Sequence, residues 1–324
     1  QVIAYSDIGS GHVEWLADWN KSKNLLLTLD HHDTRESSDP MVHNLNPELD
    51  GYSGEKDASS STIAYLFAKT VGPSLSMLAP LAIIGSEENP GDAQGLNLVP
   101  VQDGEKSQTV VKTPRGGLKL QVGAESVSPT RASTLLNVLG SVGYYRDGPT
   151  LGIRACIEGF DSHIVETSKR FEEERKAANQ KMLTRIREIG LSQLKNVQWF
   201  HAHDTYKGMS GKVVGSFCSY LSYQRQVNPM KYLIGMMNVP AEIPNWGRLP
   251  SPMVKVSGRV TRSLAKLIGD GKRPPLSELL PRSCEKAGGF GDGHTVAASG
   301  VFPIGVGGEE SFLQEFERLA VSPQ

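Results

Sequence analysis

The chain places an acid and two adjacent imidazoles, Asp30-His31-His32, at the end of the apolar run Leu25-Leu26-Leu27-Thr28-Leu29, with Asp33 next in sequence. Carboxylate oxygen and imidazole nitrogen together suit borderline divalent ions such as Mn²⁺, Zn²⁺ or Fe²⁺. Two neighbouring imidazoles behind a hydrophobic strand are costly to bury unless something binds them. A further acid, Asp7, follows the apolar run Val2-Ile3-Ala4-Tyr5 and Ser6. An acid at a strand end either caps a turn or helix or serves as a ligand, and for Asp7 both readings stand.

These residues need elements to position them. His12 to Trp19 reads as a short amphipathic helix between the two apolar runs, which makes a strand, helix, strand unit. If the strands are parallel neighbours, their carboxyl ends lie side by side and Asp7 meets Asp30 and His31. That edge is where functional groups collect in open α/β sheets.

Composition bounds the rest. The 324 residues allow two ordinary domains, and with 38% hydrophobic residues no apolar run approaches the roughly 18 needed to span a bilayer. Cys156, Cys218 and Cys284 show no C-x-x-C spacing, so a disulfide framework and a zinc ribbon are not indicated, and a reducing, cytoplasmic setting is expected. The net charge of −1 provides no global basic field, so nucleic acid could be held only by a local patch. The chain enters on a strand at Gln1 with no Met and no leader, and a segment upstream of Gln1 is expected to be missing.

Taken together, Ser6-Asp7-Ile8-Gly9-Ser10-Gly11 and Asp30-His31-His32 resemble the DHH phosphoesterase superfamily, in particular its archaeal RecJ-like branch. Asn44-Leu45-Asn46-Pro47, followed by Asp57 to Leu66, is similar to the segment that leads into the next helix of that family. Gly288-Gly289-Phe290-Gly291-Asp292-Gly293-His294 resembles the glycine-rich signature of the DHH-associated C-terminal domain. The resemblance implies two α/β domains, a parallel-sheet metal domain (residues 1–160) and a smaller mixed-sheet substrate domain (193–324). A long helix (161–192) would join them, with a cleft between. Two departures stand out. The family's first motif, an Asp-x-Asp pair, does not occur in the sequence, and Asn89 takes the place of another ligand Asp. An Asn carbonyl can bind a metal but brings no charge; Glu87, Glu88 or Asp92 could substitute.

Between these motifs, residues 101–134 are rich in Gly, Ser, Thr, Pro and Lys and predict a loop or hairpin-like excursion. Apolar stretches at Leu135–Gly140, Thr150–Ile153 and Ala155–Ile157 predict helices. From His163 to Ile189 a narrow stripe of Ile164, Phe171, Ala178, Met182, Ile186 and Ile189 predicts a long charged helix. Glu166/Arg170 and Glu172/Lys176 are placed on it for i,i+4 pairing. Beyond it, strands at Val197–Phe200, Lys231–Val239 and Val254–Thr261 surround a helix from Gly211 to Tyr223, a second α/β pattern. Ser257 and Arg259 alternate along the last strand, and Arg suits bidentate contact with phosphate. The glycines near residue 290 could bring backbone N–H groups close to an anion, and Thr295 to Ala298 could open a helix behind His294.

The resemblance implies a Mn²⁺- or Mg²⁺-dependent phosphodiesterase that releases mononucleotides from single-stranded DNA or RNA. Asp7, His31 and Asn89 would hold metal, Asp30, His31 and His32 would serve catalysis, and Ser257, Arg259, Gly289, Gly291, Gly293 and His294 would bind substrate. A rival reading, also drawn from the family, is a catalytically impaired scaffold bound to GINS-type replication proteins or to an RNA-processing assembly. Short oligonucleotides, cyclic dinucleotides or pyrophosphate are further substrates the same centre could take.

Overall fold

A computed structural model describes residues 1–32, 34–89, 91–114, 116–305 and 307–321, so Asp33 lies outside the described residues. The chain divides into two compact units, residues 1–137 with 150–165, and residues 138–149 with 166–324.

The first unit opens with β1 (Val2–Ser6), α1 (Val13–Trp19), β2 (Leu25–Leu29) and β3 (Val42–Leu45). The three strands form a parallel sheet in the order β1-β2-β3, with Ser6 paired to Leu29 and Leu26 to Val42. On one face of β2, Leu26 packs with Val13 and Val42, while on the other Leu27 and Leu29 meet Ala58 and Ile63. Burial on both faces is why this strand is an unbroken apolar run rather than an alternating one. Next come α2 (Ser60–Val71), α3 (Ala79–Ser86) and α4 (Leu98–Lys106). Helix α2 is capped by Ser59, whose Oγ accepts the Thr62 N–H at 3.1 Å.

The region from residue 101 is in part the expected hairpin-like excursion and in part a helix. Helix α4 fills its start, and β4 (Val110–Lys112), β5 (Leu118–Val122) and β6 (Glu125–Val127) form a three-stranded antiparallel sheet. Pro100 sits in the first turn of α4, where its missing N–H costs little, and Gly104 lies where a side chain would strike Val110. The apolar stretches that follow are helical, as α5 (Pro129–Ser141) and α6 (Gly148–Glu158), and α7 (Ser162–Ile189) is the long charged helix. The unit boundaries fall inside α5, α6 and α7. Ile164, Phe171, Met182 and Ile186 of the expected stripe are buried, whereas Ile189, in the last turn, is 72% exposed. Glu172 pairs with Lys176 and Arg175, but Arg170 lies over the Phe171 ring instead of pairing with Glu166.

The second unit continues with β7 (Ser192–Gln193), β8 (Val197–His201), α8 (Lys212–Leu221), β9 (Tyr232–Val239), β10 (Glu242–Ile243), β11 (Gly247–Arg248) and β12 (Met253–Arg259). It ends with α9 (Arg262–Gly269), α10 (Leu276–Lys286), β13 (Phe290–Gly293), β14 (Ala297–Pro303) and α11 (Gly308–Leu319). A six-stranded mixed sheet runs β13-β14-β12-β9-β8-β7, parallel only between β8 and β9. One face carries Ile234, Val254, Val256 and Phe302 into a core shared with α9, α10 and α11. On the other face α8 approaches β9 at Gly235, where an added Cβ would strike Cys218 Sγ and stand 2.7 Å from Phe200. Gly235→Ala is therefore expected to cost about 1–3 kcal/mol by overpacking. It should appear as a lower urea midpoint with an unchanged slope, and an unchanged midpoint would show that α8 can yield.

Candidate functional site

The pairing of Ser6 with Leu29 sets Asp7 and Asp30 at the same level of neighbouring strand ends, and the Asp7 N–H donates to the Leu29 carbonyl at 2.9 Å. From there the two acids diverge. Asp7 takes the left-handed conformation (φ 64°) and its side chain is largely exposed. Asp30 is 0% exposed. Its Oδ2 accepts the Ser10 N–H at 2.9 Å, while Oδ1 accepts the N–H groups of His31 (2.8 Å) and His32 (3.3 Å) and the His32 Nδ1–H (2.7 Å). Burial alone would push this carboxyl up; the His32 contact and the two amides from Ser10 and His31 outweigh it and hold Asp30 at about 2.

His31 is oriented from the opposite side. Its Nδ1 lies 2.8 Å from the Gly54 carbonyl oxygen, which can only accept, so Nδ1 carries a proton and the neutral ring has its lone pair on Nε2. Nε2 is 3.6 Å from Asp7 Oδ1. The rings of His31 and His32 meet edge to face at 4.7 Å. Asp7, Asp30 and His32 each bring a ligand-capable atom within 4.8 Å of the others. Asn89 shares the Gly54 carbonyl with His31: its Nδ2 donates to Gly54 O at 3.2 Å, and its Oδ1 is buried with no hydrogen-bond partner. An orphaned amide oxygen is expensive in a folded protein, and a cation would satisfy it.

Beneath these groups a polar network fixes the loop. Asn46 Nδ2 donates to the His32 carbonyl and to Ser10 Oγ, both at 2.8 Å, and its Oδ1 accepts the Glu48 N–H. Ser10 Oγ in turn donates to Asn44 Oδ1, which also accepts from the buried Thr28. Gly54 is the residue that sequence reasoning missed. A Cβ there would land on the His31 carbonyl oxygen, and its N–H reaches Glu48 Oε1 at 3.3 Å. Glu87, Glu88 and Asp92, the suggested substitutes for a ligand Asp, lie toward solvent on the loop around Asn89.

The second unit separates the expected substrate residues into two kinds. Ser257 and Arg259 stand on the face of β12 turned toward α8, and Arg259 donates to Ser219 Oγ (2.8 Å) and to the Gly258 carbonyl (2.7 Å). The glycines are different. The Gly288 and Gly289 N–H groups close the end of α10 on Glu285 and Cys284, and the Gly293 N–H bonds Asp292. Gly289, Gly291 and Gly293 permit close packing of edge strand β13 on β14 and α10 rather than opening a ring of amides. No helix starts behind His294, whose N–H bonds Ala297 O in a turn that leads into β14. The alternating burial of Ala297–Pro303 is a strand signal that the small residues hid.

Among solved structures the chain is similar to a DHH domain described as a member of a family of ribosomal proteins, with a TM-score of 0.57 and 12% identity over 99% of this chain and 70% of that one. It is also similar to RecJ from Thermus thermophilus, solved in complex with Mg²⁺, with a TM-score of 0.51 and 15% identity over 99% of this chain and 50% of RecJ. The fold is DHH/RecJ-like. No family model and no curated protein matches the sequence. The chain thus spans about half the length of RecJ.

In this RecJ-like fold Asp30 is the centre of the site, and Asp30→Asn would turn an amide donor toward a set of donors. A loss of about 2–4 kcal/mol is expected, from the unsatisfied group and the broken His32 contact. Because the carboxyl is depressed in the folded state, its contribution is present above the unfolded value of ~3.9 and fades as pH falls through about 2. Urea titrations at pH 7 and at a pH of about 2.5, inside that window, should therefore show a gap between wild type and variant that narrows in acid; no gap at neutral pH would contradict the hydrogen bonds described.

Proposed function

We propose that this chain is a divalent-metal-dependent phosphoesterase that hydrolyses single-stranded DNA or RNA to mononucleotides. The observation that carries the reading is the His31 ring, with Nδ1 anchored on Gly54 O and Nε2 facing Asp7. A carbonyl acceptor behind an imidazole, with a carboxylate before it, is how metal-binding histidines are held. The donor set fits Mn²⁺ or Mg²⁺: carboxylate, amide carbonyl and imidazole, without thiolate. Asp7, His31 and the Asn89 carbonyl oxygen would hold the ion. When bound, it would supply a hydroxide-like nucleophile and polarise the phosphodiester.

The protein's own groups do the remaining work. Asp30, ionised and sealed from water, keeps the His32 ring in one orientation, and His32 then positions the phosphate. With a proton held on Nδ1 by Gly54 O, the neutral His31 ring offers its Nε2 lone pair on the Asp7 side. In the second unit Ser257, Arg259 and His294, with the edge strand at Gly291 and Gly293, contact the substrate chain. Binding should weaken as salt rises, as it does wherever cations meet phosphate. Asn89 supplies no charge, which makes the site a weaker cation trap than an all-carboxylate one.

Hydrolysis of end-labelled single-stranded DNA and RNA, with and without Mn²⁺, tests the reading. Mononucleotides should appear only with metal, and His31→Ala should slow their release at least ~100-fold, the scale of losing a metal's support. Asn89→Asp, which adds a ligand charge, should lower the Mn²⁺ concentration for half-maximal rate about tenfold. Release that persists in His31→Ala or without metal would overturn the proposal.

A further inference from the structure

Charge is segregated along this chain. Over the whole length 34 Lys and Arg face 35 Asp and Glu, yet residues 205–269 hold nine Lys or Arg and a single acid, Glu242. That stretch runs through α8, β9, β12 and α9 of the second unit. A surplus of one sign on one run of elements is the electrostatic footprint of a polyanion partner.

Aromatic rings stand exposed within it. At the end of α8, Ser222 keeps helical dihedrals and the Tyr223 N–H reaches the Tyr220 carbonyl at 3.3 Å, which closes a last turn from i to i+3. Side chains three apart nearly eclipse in such a turn, so Tyr220 and Tyr223 project on one side of it. Tyr220 leans on the buried Phe217, with ring centroids 6.4 Å apart, and is 47% exposed; Tyr223 is 72% exposed. The Arg262 guanidinium lies 5.9 Å from the Tyr223 ring centroid. Thr261 brings it there: its hydroxyl donates to the Pro229 carbonyl at 2.6 Å, tying the end of β12 to the α8–β9 connection, and its oxygen caps α9 through the Leu264 N–H.

Folding stability explains neither feature. Phenol rings left in water forgo the burial that aromatic side chains usually contribute. Arg262 sits in the first turn of α9, at the positive end of the helix dipole, with no acid in that turn. Among the described residues no carboxylate pairs with it. The side chains around Tyr223 in sequence, Ser222, Gln224, Arg225 and Gln226, are polar, so the rings do not line an apolar groove of the kind that takes a partner helix. Flat rings, a guanidinium beside them and a surplus of cations match a single-stranded polynucleotide, whose unstacked bases offer π-faces and whose backbone is anionic.

We infer that Tyr220 and Tyr223, with Arg262, stack bases of a single-stranded polynucleotide. Arg259 is met by Ser219 on the side of α8 that faces the sheet, whereas the tyrosines take bases rather than phosphate. The surface therefore favours a base-bearing chain over any compact phosphate ester. The choice of polynucleotide rests on the single-strand reading of the substrate, but stacking requires no hydrolysis.

The test uses the full chain without added divalent ion and two fluorescent probes of equal length and charge, an oligothymidylate of about 12 nucleotides and its abasic counterpart, followed by anisotropy. Wild type should bind the oligothymidylate at least about fivefold more tightly. Tyr223→Ala should lose most of that advantage while holding the abasic chain within about twofold of wild type, and Tyr223→Phe, which keeps the ring, should restore it. Position 223 is exposed, so the urea midpoint should not move. Equal binding of the two probes by wild type, or a Tyr223→Ala that leaves their ratio unchanged, would overturn the inference. So would an oligoglutamate peptide that displaces the oligothymidylate from wild type but not from Tyr223→Ala, which assigns the surface to an acidic protein segment. With Mn²⁺, Tyr223→Ala should raise KM for the oligothymidylate about fivefold and leave that for a dinucleotide unmoved; KM unchanged for both sinks the inference and leaves the hydrolytic reading standing. A wild type that binds the oligothymidylate through Tyr223 but never cleaves it would refute the hydrolytic reading and leave this surface standing.

Discussion

Asp30 is an ionised carboxylate with no access to water, and the first unit is organised around satisfying it. A buried carboxylate needs several donors, and they come from two places: the amide of Ser10 after β1, and the amides and ring of the His31-His32 pair after β2. Those segments converge only because β1 and β2 are parallel and in register at Ser6 and Leu29. The leucines of β2, buried on both faces, hold that register, since a one-residue slip would exchange the faces and break both cores. Hydrophobic burial thus sets the geometry, and the carboxylate converts it into a fixed direction for the His32 ring.

Much of this arrangement was legible in the sequence for one reason. Parallel strands with a short crossover helix must bring their carboxyl ends together, so a run ending in Asp7 and a run ending in Asp30-His31-His32 can be placed beside one another before any coordinate is known. Asn44 and Asn46 were visible as part of the same pattern, though their task, bonding Ser10 and the His32 carbonyl, could be seen only in three dimensions. Gly54 could not be found at all. Its part is a backbone carbonyl and a missing Cβ, and among the chain's 34 glycines nothing in the local sequence marks it.

The second unit misleads the reader of sequence in an instructive way. Glycines at 288–293 invite a phosphate cradle, yet the N–H groups of Gly288 and Gly289 finish α10, that of Gly293 bonds Asp292, and the missing side chains of Gly289, Gly291 and Gly293 admit close neighbours. The Ala-rich segment behind His294 has helix propensity but becomes β14, because pairing with β12 and β13 on both sides outweighs a local preference of about a few tenths of a kcal/mol per residue.

The shared use of Gly54 O bears on how the candidate metal centre responds to change. One carbonyl accepts from both His31 Nδ1 and Asn89 Nδ2, so the imidazole lone pair and the amide oxygen are aimed by the same atom. A carboxylate at position 89 could not donate to that carbonyl; two oxygens would repel, and the side chain would have to rotate away. The amide is thus matched to the carbonyl behind it even though it lacks charge. Oδ1 of that amide is already buried without a hydrogen-bond partner, so a cation placed there would meet a desolvated oxygen. Introducing an acid there adds charge while releasing one of the two bonds that pin Gly54, so the gain in affinity is set by the difference between these effects. The sign follows from magnitudes: a hydrogen bond of this kind is worth about 0.5–1.5 kcal/mol net, whereas a full charge a few ångströms from a divalent ion in a half-buried site contributes several.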